Sequence, residues 1–233
     1  MSQPSLSVVI PTLDEEGVIV ACLDSIGTRR DVETVISDGG SRDRTLDLAS
    51  ARPGVRVVSG SSGRGAQLRR GAAASSGSIL LFLHADCRLP TGWFAAIHAA
   101  LADPAVALAC FRLHTEPTDP GRVGRAGRAW LRLIDLRSFV GALPYGDQGF
   151  AVRRATHDAI GGFPDIPLME DVEFARAARA MGRLEVLPLE IRTTARRVER
   201  HPVRTRVMTA TFPWLYRLGV SSARLASWYR NVR

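Results

Sequence analysis

Four short runs of Val, Ile and Leu, each followed by a stretch with helical patterning, restrict this chain more than any other feature. Residues 6–10 precede 15–26, 33–36 precede 43–51, 55–58 precede 66–74, and 79–83 precede 93–101. Strands that are apolar throughout are buried on both faces. With helices between them they predict a mostly parallel central sheet covered by helices on both sides, an α/β architecture. In such a sheet the ligand crevice lies beyond the carboxyl ends of the strands. A chain of 233 residues, 45% of them hydrophobic, suffices for one such core.

Beyond residue 105 the pattern loosens. An apolar strand over 106–111 is followed by a Gly- and Arg-rich stretch, 121–128, and an amphipathic segment, 129–136. The region 115–146 reads as mobile or acceptor-facing. A last helix is expected over 171–181, opening on acids and closing at Gly182. From Arg192 to Arg233 there are ten arginines and one acid, Glu199, so almost the whole net charge of +8 sits in the tail. The expected organisation is a domain over 1–191 with a basic helical tail, 192–233, packed on it or extending from it. No apolar run nears the roughly 18 residues that span a bilayer, and the N-terminus lacks the pattern of a leader, so a cytoplasmic setting is expected. Cys22, Cys87 and Cys110 are too scattered for a disulfide framework or a zinc site, and read as structural thiols.

Carboxylates gather where the crevice should be. Asp38 ends the second strand and precedes Gly39-Gly40-Ser41, a turn that lets backbone pass close to a ligand. Its carboxylate suits the N–H of a nucleobase such as uracil, and equally a plain Asx turn capping the next helix. His84-Ala85-Asp86 follows the most apolar strand. Asp86 is the natural ligand for Mg²⁺ or Mn²⁺ bridging a nucleotide diphosphate, with His84 as a second candidate; a helix cap is the alternative for Asp86. Glu170-Asp171, at the start of the last helix, brings two more acids toward the crevice. Asp171 is the candidate base that takes a proton from an acceptor hydroxyl, with a plain acidic helix start as the alternative.

Gly63-Arg64-Gly65-Ala66-Gln67 fails the dinucleotide spacing, because Leu68 stands where the last glycine belongs, and it follows the third strand rather than the first. Arg64 at a helix start can still meet phosphate oxygens, with Gln67 beside it; a flexible turn is the alternative. The tail interleaves arginines with Phe212, Trp214, Tyr216, Trp228 and Tyr229. That pattern suits an anionic lipid surface, neutralisation of a departing diphosphate, or aromatics simply packed on the domain.

Taken in order, Ser7-Val-Val-Ile-Pro-Thr12 with Glu15, Ile36-Ser-Asp38-Gly-Gly-Ser-Arg-Asp-Arg-Thr45, Leu81-Phe-Leu-His-Ala-Asp86, Gly146-Asp-Gln-Gly-Phe150, Gly161-Gly-Phe163 and Met169-Glu-Asp171 resemble the motifs of the family-2 glycosyltransferases with the GT-A fold. The resemblance covers roughly residues 5 to 230. It looks most like the prokaryotic subgroup with Leu-His-Ala-Asp and Gly-Asp-Gln motifs, sometimes labelled carotenoid-acid glycosyltransferases. It implies inverting transfer of a sugar from a nucleotide sugar, UDP-linked by expectation, to a hydroxyl or carboxylate, lipid-linked acceptors included. Pro11, Thr12, Glu15 and Asp38 would hold the nucleoside, and Asp86 would meet the metal and diphosphate. Asp171 would be the base, Asp147 and Gln148 with Glu170 would face the acceptor, and Arg196-Arg197 would share in charge neutralisation. One departure concerns the metal: His84 occupies the first acidic position of the usual Asp-x-Asp.

Two other classes were weighed. A non-catalytic nucleic-acid or membrane-binding relative draws on the high charge, but the first 191 residues are slightly acidic, so no nucleic-acid partner is expected. A nucleotidyltransferase would be expected to carry a basic, Gly-rich phosphate loop after the first strand, where this chain has Leu13-Asp14-Glu15-Glu16.

Overall fold

The computed structural model describes residues 5–119, 124–140 and 143–230. Strand β1 (Leu6–Thr12) leads to α1 (Ile19–Ile26), β2 (Val32–Asp38) to α2 (Thr45–Ser50), β3 (Val55–Ser59) to α3 (Arg64–Ala73), and β4 (Ile79–Phe82) through the short β5 (Cys87–Arg88) to α4 (Trp93–Ala102). There follow β6 (Val106–Glu116), α5 (Arg125–Val140), a 3-10 turn over Gly146–Gln148, β7 (Phe150–Arg153), α6 (Arg154–Ile160), α7 (Glu170–Met181) and β8 (Arg183–Thr194). The tail forms α8 (Arg196–Arg200), α9 (Pro202–Arg217) and α10 (Ser222–Arg230).

One sheet runs in the order β3-β2-β1-β4-β7-β6-β8-β5. Strands β3, β2, β1 and β4 are parallel, as the four apolar runs require. Strand β7 pairs antiparallel with both β4 and β6, β6 and β8 are parallel, and β5 is antiparallel to β8. Strand β1 lies inside the sheet between β2 and β4, and its alternate residues enter different cores. Val8 and Ile10, with Leu81 and Leu83, pack beneath α1 and α4, while Val9, with Leu80 and Phe82, packs beneath α3 and α7. The pairing of β1 with β4 ends at Val9 opposite Phe82. Pro11, which has no N–H to offer a ladder, lies past that point, where the two strands part and the crevice opens.

Sequence reasoning found β1 to β4 and placed α1 to α4 within a few residues. It missed β5, β7, β8 and α6. Strand β8 has Pro188 in its middle and polar residues toward both ends, and it runs on to Thr194, past the expected division at 191/192. The region 115–146 is not one loop: Thr115 and Glu116 still belong to β6, and 125–140 form α5. Residues 120–123 and 141–142 of that region lie outside the described residues.

Helix α7 is anchored by aromatic packing. After α6 the chain turns at Gly161-Gly162 and inserts Phe163, which stacks on Phe174 with centroids 4.1 Å apart and 8° between planes and meets Phe82 edge-on at 4.8 Å. Phe163 and Phe174 are almost wholly buried. The Gly-Gly-Phe motif thus secures the helix that begins with Glu170-Asp171. We expect Phe163→Ala to lower unfolding stability by about 3–5 kcal/mol, read as the urea midpoint at constant slope. A loss below about 1 kcal/mol would contradict this anchoring role.

Candidate active site

The strand ends meet in two adjoining cavities. The first, about 390 Å³, is walled by Pro11, Thr12 and Glu15 after β1, by Gly63, Arg64 and Gln67 at the start of α3, by His84 and Asp86 after β4, and by Arg196, Arg200 and His201 from the tail. The second, about 240 Å³, is reached past Arg64, His84 and Asp86, which line both. Its further walls are Asp147 and Tyr145, Asp171, Thr193 and Thr194 at the end of β8, and Met208, Thr209, Phe212 and Tyr229 from α9 and α10.

The loops after β1 and β2 are tied to each other. The Asp14 N–H donates to Ser41 Oγ at 3.0 Å, the Arg42 N–H to Asp14 Oδ1 at 2.8 Å, and the Glu15 N–H to Thr45 Oγ1 at 2.8 Å. Asp14 is held at φ 55°, a left-handed conformation uncommon outside glycine. Beneath them lies Asp38, almost wholly buried. It accepts from Thr12 Oγ1 at 3.0 Å, Gly40 N at 2.7 Å, Ser41 N at 2.9 Å and Ser41 Oγ at 2.5 Å. Burial pushes the Asp38 carboxyl up, but these donors, Ser41 foremost, outweigh it and hold it below the usual carboxylate range.

Of the two roles open to Asp38, these bonds match the Asx turn. Its oxygens are taken by protein donors, so it holds the crevice floor rather than presenting a free edge to a nucleobase. Gln67 is similar: its Nε2 donates to the carbonyls of Thr12 at 2.7 Å and Ser37 at 3.0 Å, joining α3 to β1 and β2.

Arg64 stands between the cavities. Its Nη1 lies 3.1 Å from Glu170 Oε1. Burial works against its charge, while Glu170 first, then Asp171, Tyr229 and Asp86, hold the guanidinium above its ordinary value. Glu170 is buried, and that burial, with Asp171 beside it, raises its carboxyl although Arg64 pulls the other way. Glu170 therefore does not face the acceptor side as expected. It is the counter-charge beneath Arg64. Asp171 does reach the second cavity, with Oδ2 accepting from Gly146 N at 2.9 Å and Oδ1 from Val172 N at 2.8 Å. Met169, just before these acids, sits at φ 68°. Any side chain at Gly146 would come within 2.8 Å of His84 Nε2 and 3.4 Å of Asp171 Cβ, so the close approach of these three depends on glycine.

Of the remaining expectations, Pro11, Thr12, Glu15 and Asp86 line the first cavity and Asp147 the second. Gln148 does not join them. It is buried, donating from Nε2 to the Phe111 carbonyl at 3.0 Å and accepting from Tyr145 N at 3.1 Å, so it braces the turn instead. Arg196 lines the first cavity but is ion-paired to Glu15 at 2.6 Å, which fastens α8 across the mouth. The side chain of Arg197 lies outside the described residues. Arg200 and His201 in the first cavity, and Phe212 and Tyr229 in the second, were expected only as members of the basic, aromatic tail, and the threonine walls of the second cavity were missed.

The described residues contain no group of three or more His, Cys, Asp or Glu poised around a cation. Asp86, with His84 beside it, fits a different donor set: a hard cation held by one or two protein ligands, with diphosphate oxygens supplying the rest.

Residues 7–163 match Glycosyl transferase family 2, and the chain belongs to that family. Its fold is the GT-A fold. It is 42% identical over 94 residues to a PGL/p-HBAD biosynthesis glycosyltransferase of Mycobacterium bovis BCG, a match covering 37% of this chain and 37% of the relative. It is 36% identical over 102 residues to glucosyl-3-phosphoglycerate synthase of Mycolicibacterium paratuberculosis, covering 39% and 31% respectively. These matches span about a third of the relatives' length. Similar solved structures include Staphylococcus aureus TarS 1-349 in complex with UDP, at TM-score 0.64 and 17% identity over 88% of this chain and 64% of that one. The mannosyltransferase PcManGT from Pyrobaculum calidifontis, in complex with GDP-Man and Mn²⁺, gives TM-score 0.64 and 21% identity over 95% and 66%.

Because the folded Asp38 carboxyl lies below its unfolded value, its contribution to stability is complete above about pH 4 and is lost as pH falls through the folded value. We expect Asp38→Asn to cost roughly 1–3 kcal/mol at pH 7 and to flatten the acid limb of the stability curve. Urea midpoints between pH 7 and pH 3 check this; parallel acid limbs for the two proteins would count against it.

Proposed function

We propose that the chain transfers a sugar from a nucleotide sugar, UDP-linked in our reading, to an acceptor hydroxyl by a single displacement that inverts the anomeric carbon. The observation that carries this is the pair of cavities meeting at Arg64, His84 and Asp86, with Asp171 on the second side only. The nucleotide lies in the first cavity, against the strand-end loops, and the acceptor in the second. UDP in TarS and GDP-Man in PcManGT support a nucleotide-sugar donor for this fold, and the PGL/p-HBAD relative supports glycosyl transfer.

Asp171, steadied by the Gly146 and Val172 amides, takes the acceptor proton as the oxygen attacks. Backbone donors fix its position, so little ordering remains to be done when substrate arrives. The diphosphate leaves toward Arg64, Arg200 and His201, with Arg196 joining once it releases Glu15. Asp86, with His84, would hold Mg²⁺ or Mn²⁺, which when bound supplies charge neutralisation at the diphosphate. No helix of the described residues is long and apolar enough to cross a membrane. We place the enzyme on the cytoplasmic side, at a membrane surface.

We expect UDP to raise Tm, more so with Mn²⁺ or Mg²⁺, and Asp86→Ala to remove the metal-dependent part. Asp171→Asn should keep the UDP response while kcat falls about 10²–10⁴-fold. Full transfer by Asp171→Asn would remove it as the base, and no stabilisation by any nucleotide would overturn the donor site.

A further inference from the structure

Helix α9 is apolar on two opposite sides. Thr205, Met208, Thr209, Phe212 and Pro213 look into the second cavity. On the other side Val203 is 73% exposed, Val207 54%, Trp214 64% and, just past the helix end, Leu218 80%. At 100° per residue these four positions fall within one narrow stripe, almost diametrically opposite the cavity-facing set. A helix that packs on its domain hides its apolar residues on the inner side, so this outer stripe is not explained by the fold. Exposed Arg204 and Arg217 flank it on either side, and the Arg217 guanidinium lies 5.4 Å from the Trp214 ring centroid. On α10, Trp228 is also exposed. From Pro202 to Arg230 there is no Asp or Glu. Apolar residues with an aromatic, flanked by cations and without acids, are complementary to an anionic lipid surface.

The cavity behind the same helix has Asp147 and Asp171 at its floor, beyond Asp86, and Arg64, its one arginine among the described residues, is ion-paired to Glu170. Its upper walls are Leu168, Met208, Phe212 and Tyr229. An anionic acceptor would meet like charge at the floor; a hydroxyl on an uncharged, apolar body satisfies both ends. We propose that α9 lies on an anionic bilayer and that its inner side receives an uncharged, lipid-borne alcohol from that surface. The proposal rests on the transferase reading and makes it specific. It sets this chain apart from a relative whose name, glucosyl-3-phosphoglycerate synthase, specifies a phosphorylated product.

The test uses the full chain and vesicles of phosphatidylcholine, with and without phosphatidylglycerol, in sedimentation assays. The wild type is expected to bind the anionic vesicles at least about tenfold more tightly, since each surface arginine contributes about 1 kcal/mol, and to release as salt rises. The double variant Val207→Glu with Trp214→Glu should lose this binding and keep the UDP-induced rise in Tm, which shows that it is folded. Thr209→Trp, which narrows the second cavity from its inner wall, should keep the UDP response while losing transfer to long-chain alcohols in mixed micelles. Among acceptors, an alkyl alcohol should outcompete its phosphorylated counterpart. Equal binding to neutral and anionic vesicles, vesicle binding unchanged in the double variant, a wild-type dimer that this variant dissolves, or preference for the phosphorylated acceptor would each overturn the proposal. Absence of any UDP response in the wild type is a separate failure, of the transferase reading itself.

Discussion

The buried ion pair of Arg64 with Glu170 is the interaction on which the site depends. It joins the first residue of α3 to the first residue of α7, the helices that flank the junction of the two cavities. The two helix starts are so close that a side chain at Gly65 would collide with the Pro164 carbonyl. A buried carboxylate without a partner is costly, and so is a group of neighbouring acids without a cation among them. Each secures the other, and the pairing fixes where Asp171 stands relative to Asp86. The aromatic stack of Phe163 on Phe174 gives α7 its depth, while the ion pair fixes its end.

The tail completes the site. Met208, Phe212 and Leu225 pack with Met169 and Val172 of the α7 region in a third apolar cluster, with Tyr216 and Tyr229 partly buried against it, while Trp214 and Trp228 stay exposed. The same helices wall the second cavity, and the Glu15–Arg196 pair draws α8 over the first. Basic charge that sequence reading assigned to a surface or to phosphate is divided by the fold. Arg196 and Arg200 line the first cavity, while Arg204 and Arg217 face outward. One short helical region thereby walls both cavities and also faces the surroundings.

The parallel half of the sheet was legible because its strands are buried on both faces and so are apolar at every position. Of the other half only β6 was. Strand β7 has only four residues and β5 two, too short for any periodicity, and β8 is interrupted by Pro188. The site was legible as a set of strand ends carrying acids, since topology alone sends those ends to one edge. What could not be read was how each polar group is used. Asp38, Gln67 and Gln148 have the chemistry of ligand-binding residues, yet their hydrogen bonds go to Ser41, to the Thr12 and Ser37 carbonyls, and to the Phe111 carbonyl. Those partners come from tertiary contacts that no local pattern records. The walls supplied by α9 were hidden for the same reason: amphipathicity shows that a helix has sides, not what each side meets.

The central claim is that donor and acceptor occupy opposite sides of the Arg64–His84–Asp86 junction and react in one displacement. The most direct test is the anomeric configuration of the glycoside product at early times, read by ¹H NMR before hydrolysis or secondary transfer. Configuration opposite to that of the donor is the expected result. Retention would contradict a single displacement with Asp171 as base, and would require either a covalent intermediate or attack from the face of the leaving diphosphate.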